Sequence, residues 1–269
     1  MTEQTQTSSG FVGVIGLPNV GKSTLINALV GSKVSIVSPK VQTTRTRVLG
    51  IMMQGAAQVV LIDTPGIFAA QKTFERAMVG AAWSVLDDAD ILLHLVDASQ
   101  ARALAANERI MERLARDQKC LLVFNKIDAC AKPELLKLAQ TFNERFPYHA
   151  TFMISALKSQ GLEGLRAEMA SLMTPGPFLF DPEQITDMPM RLLAAEITRE
   201  KIFHQLYQEL PHAVLVETEQ WENFDNGSVK ISQLIYVHRD SQKAIVLGKG
   251  GSRLRQIGEA ARLELEAMM

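Results

Sequence analysis

Cysteine is scarce in this chain: Cys120 and Cys130 are the only two among 269 residues. Neither sits in a C-x-x-C spacing or pairs with a histidine, so neither a zinc site nor a disulfide framework is expected, and a reducing cytoplasm is the expected compartment. The five histidines, His94, His149, His204, His212 and His238, show no metal-ligand spacing and are read as structural. Long apolar runs are missing too. None approaches the ~18 residues that a membrane span needs. The opening MTEQTQTSSG has no apolar stretch of the signal-peptide kind, and residues 1–9 are read as a disordered lead-in. Neither sign of charge dominates, with 28 Lys and Arg against 29 Asp and Glu. Nucleic-acid binding would therefore have to come from a local patch. No internal repeat is apparent, and Trp83 and Trp221 are read as packing residues.

What is present is concentrated first in Phe11–Thr24, FVGVIGLPNVGKST. An apolar run that suits a buried strand breaks into Gly16-Leu17-Pro18-Asn19-Val20-Gly21-Lys22-Ser23, and a helical pattern follows from Thr24. G-x-x-x-x-G-K-[ST] between strand and helix is the context of a phosphate-binding loop. The glycines let backbone N–H groups converge on phosphate oxygens. The helix start adds further N–H groups and partial positive charge. Lys22 can reach the β- and γ-phosphates, and the Ser23 hydroxyl can hold Mg²⁺.

The chain then alternates strands and helices. Strands are predicted at 48–53, 58–62, 91–96, 120–124 and 151–154, and helices at 104–116, 133–145 and 162–172, with helical spacing also from Gly66 to about Leu86. This is an α/β domain with a mostly parallel, six-stranded sheet between helices. Its motifs lie at the C-terminal ends of strands, where such sheets bind ligands. Asp63-Thr64-Pro65-Gly66 offers a carboxylate for water-mediated Mg²⁺ contact and a glycine N–H for the γ-phosphate. The polar segment 32–47 is expected to be exposed and mobile. It holds Thr43-Thr44, of which Thr44 is favoured, with Thr43 second, as a hydroxyl that meets Mg²⁺ only when a γ-phosphate is present.

Asn125-Lys126-Ile127-Asp128 chooses the base. A carboxylate accepts two adjacent hydrogen bonds; guanine offers N1–H and N2–H₂ side by side, and adenine does not. Asp128 would reject ATP by leaving its charge unpaired. Asn125 would tie this loop to the phosphate loop, the Lys126 stem would cover a face of the base, and Ser155-Ala156 would close the pocket, with the Ala156 N–H on the guanine O6. Ile67 follows Gly66 where Ras-like enzymes carry a water-orienting glutamine. Hydrolysis is therefore expected to be slow, nearer ~10⁻⁴ s⁻¹ than kinase rates.

Residues 174–189, TPGPFLFDPEQITDMP, carry four prolines and are read as a linker packed in part by Phe178 and Phe180. Residues 190–269 change character: a helix at 191–209, strands at 213–218 and 229–237 with Asp225-Asn226-Gly227 in the turn, a strand-like run at 244–247, then Gly248-Lys249-Gly250-Gly251 and a helix from Arg253. This is a separate α+β module. A Gly-x-x-Gly turn lets a nucleic-acid backbone approach closely. Residues 243–263 hold Lys243, Lys249, Arg253, Arg255 and Arg262 against Glu259, a phosphate-binding footprint.

Together these segments resemble the G motifs of the translation-factor-related GTPases over residues 10–173. The AIVLGKGGSRLRQIG stretch resembles the type II KH domain of the Era family of ribosome-assembly GTPases, as do the QTTRTR run and the DTPG-to-NKID layout. The resemblance implies GTP hydrolysis to GDP and phosphate with Mg²⁺, and binding to the 3′ region of 16S rRNA and to the 30S subunit during its maturation, with no DNA partner. It also implies loose peripheral association with the inner membrane, for which the sequence shows no feature. Asn19 resembles a loop asparagine that binds a monovalent cation such as K⁺ in some relatives, a role weighed against simple loop structure. Because that family continues into an apolar strand and a basic tail, the KH module is expected to lack its last strand. The remaining alternatives are a nucleotide sensor with negligible turnover and a P-loop phosphotransferase, against which NKID and the lack of an acceptor-binding domain argue.

Overall fold

The computed structural model describes residues 6–37, 48–67, 79–80, 83–84, 88–115, 117–206 and 214–268. Thr43 and Thr44, and most of the helical stretch expected after Gly66, lie outside them. The chain divides into two units, one running to Asp187 and one from Met188 that also takes in Ile36 and Val37.

In the first unit the apolar runs form strands whose two faces bury different residues. β1 (Ser8–Ile15), β3 (Ala57–Asp63), β4 (Ile91–Asp97), β5 (Cys120–Asn125) and β6 (Ala150–Met153) are parallel, and β2 (Val48–Gln54) pairs antiparallel with β3. The order is β2-β3-β1-β4-β5-β6. Side chains alternate across a strand. Leu93 and Leu95 accordingly join one core with helices α1 (Lys22–Val30) and α4 (Leu162–Ser171), while Leu92 and Val96 join the other with α2 (Ala103–Arg113) and α3 (Lys132–Arg145). Pro133 sits in the first turn of α3, where a missing N–H costs nothing.

The proline-rich segment, expected to be a partly packed linker, packs Phe180 against Leu49, Ile51, Val60 and Ile62 and also pairs its backbone. Thr174–Pro175 forms a short strand, β7, antiparallel to β1, which makes a seventh strand. Beyond it the fully buried Gln58 accepts the Leu179 and Phe180 N–H groups (2.8 and 3.0 Å) and donates to the Phe180 carbonyl (2.9 Å). The Ile51 N–H then reaches the Ile185 carbonyl at 2.8 Å, and Leu49 N–H reaches Asp187 Oδ1 at 3.2 Å, so this segment covers the open edge of β2. Ser8 and Ser9, expected to be disordered, belong to β1, where Ser9 Oγ donates to the Pro177 carbonyl at 2.7 Å.

In the second unit α5 (Met190–Gln205) packs on the hairpin of β8 (Val214–Asn223) and β9 (Val229–Val237), a two-stranded sheet among the described residues. α6 (Asp240–Leu247) and α7 (Ser252–Met268) follow. The strand-like run at 244–247 is therefore helical. The Gln242 side chain turns back to accept the His238 and Arg239 N–H groups at 2.9 and 3.1 Å, starting a helix that carries through Leu247. Ile257, Ala261 and Leu265, at helical spacing, bury the inner face of α7.

Candidate functional site

The loop after β1 is shaped by where glycine is required. Gly21 has φ +98°, and a Cβ there would lie 2.4 Å from Asn125 Nδ2. Only glycine serves at the start of α1. Gly66 meets a different demand, since a Cβ would sit 2.8 Å from the Pro18 backbone. Lys22 lies along this loop, with Nζ donating to the carbonyls of Gly16 (3.2 Å) and Leu17 (3.0 Å). Burial lowers its pKa to about 8, with Asp63 opposing the shift. A buried ammonium held on the carbonyls of this loop suits a phosphate.

Asp63, at the end of β3, is fully buried. Ser23 Oγ donates to its Oδ2 at 2.8 Å, and so does Ser35 Oγ, at 2.6 Å. Thr64 turns away and donates to the Val14 carbonyl at 2.7 Å. A hydroxyl and a carboxylate oxygen side by side at a helix start form an oxygen-only donor set. That fits Mg²⁺, which takes one or two protein oxygens and completes its shell with phosphate and water. Ile67 is buried, and its N–H donates to the Gly16 carbonyl at 3.0 Å.

The base-reading loop is stitched to the phosphate loop. Asn125 Nδ2 donates to the Val20 carbonyl at 2.8 Å. The Ala156 N–H, expected on the guanine O6, donates to Asn125 Oδ1 at 2.9 Å. Lys126, at φ +63°, sends its ammonium to the Asn19 carbonyl (2.8 Å) and to Asp97 Oδ2 (2.6 Å). Asp97 in turn accepts the Ser99 N–H and hydroxyl on Oδ1. Asp128 has its carboxyl held below the usual range, first by the Ser155 hydroxyl and then by Lys158, whose Nζ is 3.4 Å away.

Sequence reasoning named Asn125, Lys126, Asp128, Ser155 and Ala156 together, and the fold brings them together. It missed Ser35, Asn27, Asp97 and Lys158 as participants. Asp97 carried a signal, its place at a strand's C-terminal end. Asn19 has φ +61°, a left-handed turn residue, and Thr24 is half-buried in the first turn of α1.

The second candidate surface is the loop between α6 and α7. Gly248, Gly250 and Gly251 all have positive φ, and a Cβ on Gly250 or Gly251 would meet nothing within 4 Å. Lys249 and Arg255 are exposed. Arg253, expected among the RNA contacts, also packs within the module. Its stem packs where a Gly248 Cβ would lie, and Nη1 reaches the Ile245 carbonyl at 3.4 Å.

A phosphate loop, a buried hydroxyl–carboxylate pair and an NKxD loop on one parallel sheet, followed by a helix–Gly-x-x-Gly–helix module, define a P-loop GTPase joined to a KH domain. Residues 11–126 match the family described as a 50S ribosome-binding GTPase, and residues 209–268 match the KH domain family. GTPase Era of Afipia carboxidovorans is 52% identical, over 96% of this chain and 84% of its own length, and GTPase Era of Brucella suis is 52% identical, over 100% and 86%. Two solved structures, a variant of Aquifex aeolicus Era bound to GDP·AlF₄⁻ and an Era in complex with MgGDPNP and nucleotides 1506–1542 of 16S rRNA, each superpose with a TM-score of 0.89 at 37% identity. Each covers 97% of this chain, which spans 90% and 89% of theirs. The chain belongs to the Era family of GTPases.

Proposed function

We propose that this GTPase is a nucleotide-governed switch that binds small-subunit ribosomal RNA through its KH module and assists 30S assembly. The observation that carries the nucleotide half is the Asn125 side chain, which joins the phosphate loop at Val20 to the base loop and to Ala156. Base and phosphates are then read in one frame. Asp128 takes the guanine N1–H and N2–H₂, the Lys126 stem lies along the base, and Lys22 neutralises phosphate charge. Ser23 and Asp63, with Thr44 from the segment outside the described residues, would hold Mg²⁺, which supplies charge neutralisation across the β- and γ-phosphates. Water is the nucleophile. Ile67 cannot orient it, since its side chain neither donates nor accepts and its N–H is engaged by Gly16. Intrinsic turnover is therefore slow and a partner accelerates it.

The RNA half is supported by the open, positive-φ Gly-x-x-Gly loop flanked by Lys249 and Arg255, and by the relative solved with a 16S rRNA fragment. Single-turnover GTP hydrolysis with and without 30S subunits tests the whole reading. Acceleration is expected, and an unchanged rate with no binding of 16S 3′ RNA would overturn it. Two finer proposals are carried by the resemblance. Asn19 would take K⁺, which an equal hydrolysis rate in Na⁺ and K⁺ would exclude. The chain would work in the cytoplasm with loose attachment to the inner membrane, which failure to co-sediment with anionic vesicles would exclude.

A further inference from the structure

We propose that Ser35 is a positioning residue of the metal site: its hydroxyl, donated to Asp63, holds that carboxylate in the orientation in which it serves Mg²⁺. The proposal rests on the reading of Asp63 and Ser23 as metal-site residues. Ser35 is distant in sequence from both but buried, at 3% exposure. Its Oγ lies 2.6 Å from the same Asp63 oxygen that receives Ser23 Oγ at 2.8 Å.

This convergence is built by one helix. Ser23 and Asn27 are four residues apart on α1, hence one above the other on the same face. Ser23 bonds the carboxylate. One turn later the Asn27 side chain grips the returning backbone three times, accepting the Val34 and Ser35 N–H groups at 2.9 and 3.0 Å and donating to the Ser35 carbonyl at 2.7 Å. Asn27 thus sets where Ser35 sits, and Ser35 sets where the carboxylate points.

A buried hydroxyl needing only satisfaction would take a backbone carbonyl, as Thr64 does with Val14. A donor to a carboxylate makes a charge-assisted bond, about twice as strong as a neutral one. With two donors on Oδ2, rotation of the carboxylate would break both bonds. Outer-shell partners of this kind typically change metal affinity by about 10- to 100-fold when removed.

The test uses the full chain loaded with a fluorescent GDP, whose dissociation is followed as Mg²⁺ is titrated, and Mn²⁺ electron paramagnetic resonance as a direct count of bound metal. Ser35→Ala is expected to raise the half-effective Mg²⁺ concentration about tenfold. Ser35→Thr, which keeps the hydroxyl, should return it towards wild type. Ser35→Cys, close in size with a weak donor, should behave like Ser35→Ala and covers the case in which the alanine variant folds poorly. A merely structural serine would lower the melting temperature and leave the Mg²⁺ midpoint in place, and that result overturns the proposal. Ser23→Ala separates the two levels. If it shifts the midpoint while the Ser35 variants do not, the metal site stands and the role of Ser35 falls. If Ser23→Ala shifts nothing, the metal reading falls and Ser35 falls with it.

Discussion

A carboxylate that must meet two donors side by side is the strictest chemical demand in the nucleotide site. Asp128 is already held ionised by the Ser155 hydroxyl and Lys158, so it presents a charge ready for guanine. Asp128→Asn would put an N–H₂ where an acceptor is needed, and GTP affinity is expected to fall about 10- to 100-fold while discrimination against ATP relaxes. Competition of labelled GDP by GTP and ATP measures both; an equal loss for the two nucleotides would refute the assignment. At this scale the sequence was readable wherever one short motif held the whole demand. NKID names a base because its residues are consecutive. Ser35 and Asp97 were not readable, because a serine and an aspartate in isolation are ordinary. Only the meeting of Ser35 with Asp63 and of Asp97 with Lys126 gives them meaning.

Among the elements, the loop between α6 and α7 shows how conformation and chemistry divide. Gly250 has φ +61° and open space where a Cβ would project. Aspartate tolerates that left-handed region better than most residues, so Gly250→Asp should leave the module folded while placing a negative charge where a phosphate would approach. RNA affinity is expected to fall about tenfold near 0.1 M salt, with a smaller loss at higher salt where charge is screened. Filter binding to 16S 3′ RNA, with GTP affinity as the unchanged control, decides it; RNA affinity equal to wild type would refute the loop's role. The helix ahead of this loop was misread as extended because four apolar-leaning residues, Ala244–Leu247, fit either period. The Gln242 cap settles the matter three-dimensionally. Residues 174–189, expected to be a linker packed in part by Phe178 and Phe180, do pack Phe180 against Leu49 and Ile51, but their backbone pairing was not legible. Prolines forbid a regular helix, but they say nothing of the buried Gln58, far earlier in the chain, that supplies backbone partners for Leu179 and Phe180.

At the scale of the whole molecule, stability in mild acid is limited by a polar cluster inside the first unit. His94 is fully buried, with Nδ1 2.7 Å from the Tyr148 hydroxyl and Nε2 3.0 Å from Asn107 Oδ1. Burial lowers its pKa from 6.5 to about 4, and the Asn107 bond only partly opposes this. The folded ring therefore stays neutral while the unfolded one takes a proton. Stability is undiminished above pH 6.5 and declines as pH falls towards 4, by about 2 kcal/mol at pH 5 from this group. Urea unfolding at pH 7 and pH 5 should show that slope in wild type, and a much smaller one in His94→Gln. Equal slopes would place the titration elsewhere. Among the described residues no helix is long and apolar enough to cross a membrane.

The sequence by itself determined what local order can encode: the alternation of apolar strands with helices, the glycine loop, DTPG, NKID and Gly-x-x-Gly. Each is a short run whose residues act together because they are neighbours in the chain. The tertiary structure alone decided which lone residues complete those motifs. Asn27 brings Ser35 to Asp63, Asp97 takes the Lys126 ammonium, Gln58 ties Leu179 and Phe180 to the sheet, and Asn125 joins the Ala156 N–H to the phosphate loop. The physical reason is range. A hydrogen bond discriminates over a few tenths of an ångström, and for residues tens of positions apart only the packed sheet and helices place donor and acceptor within that distance.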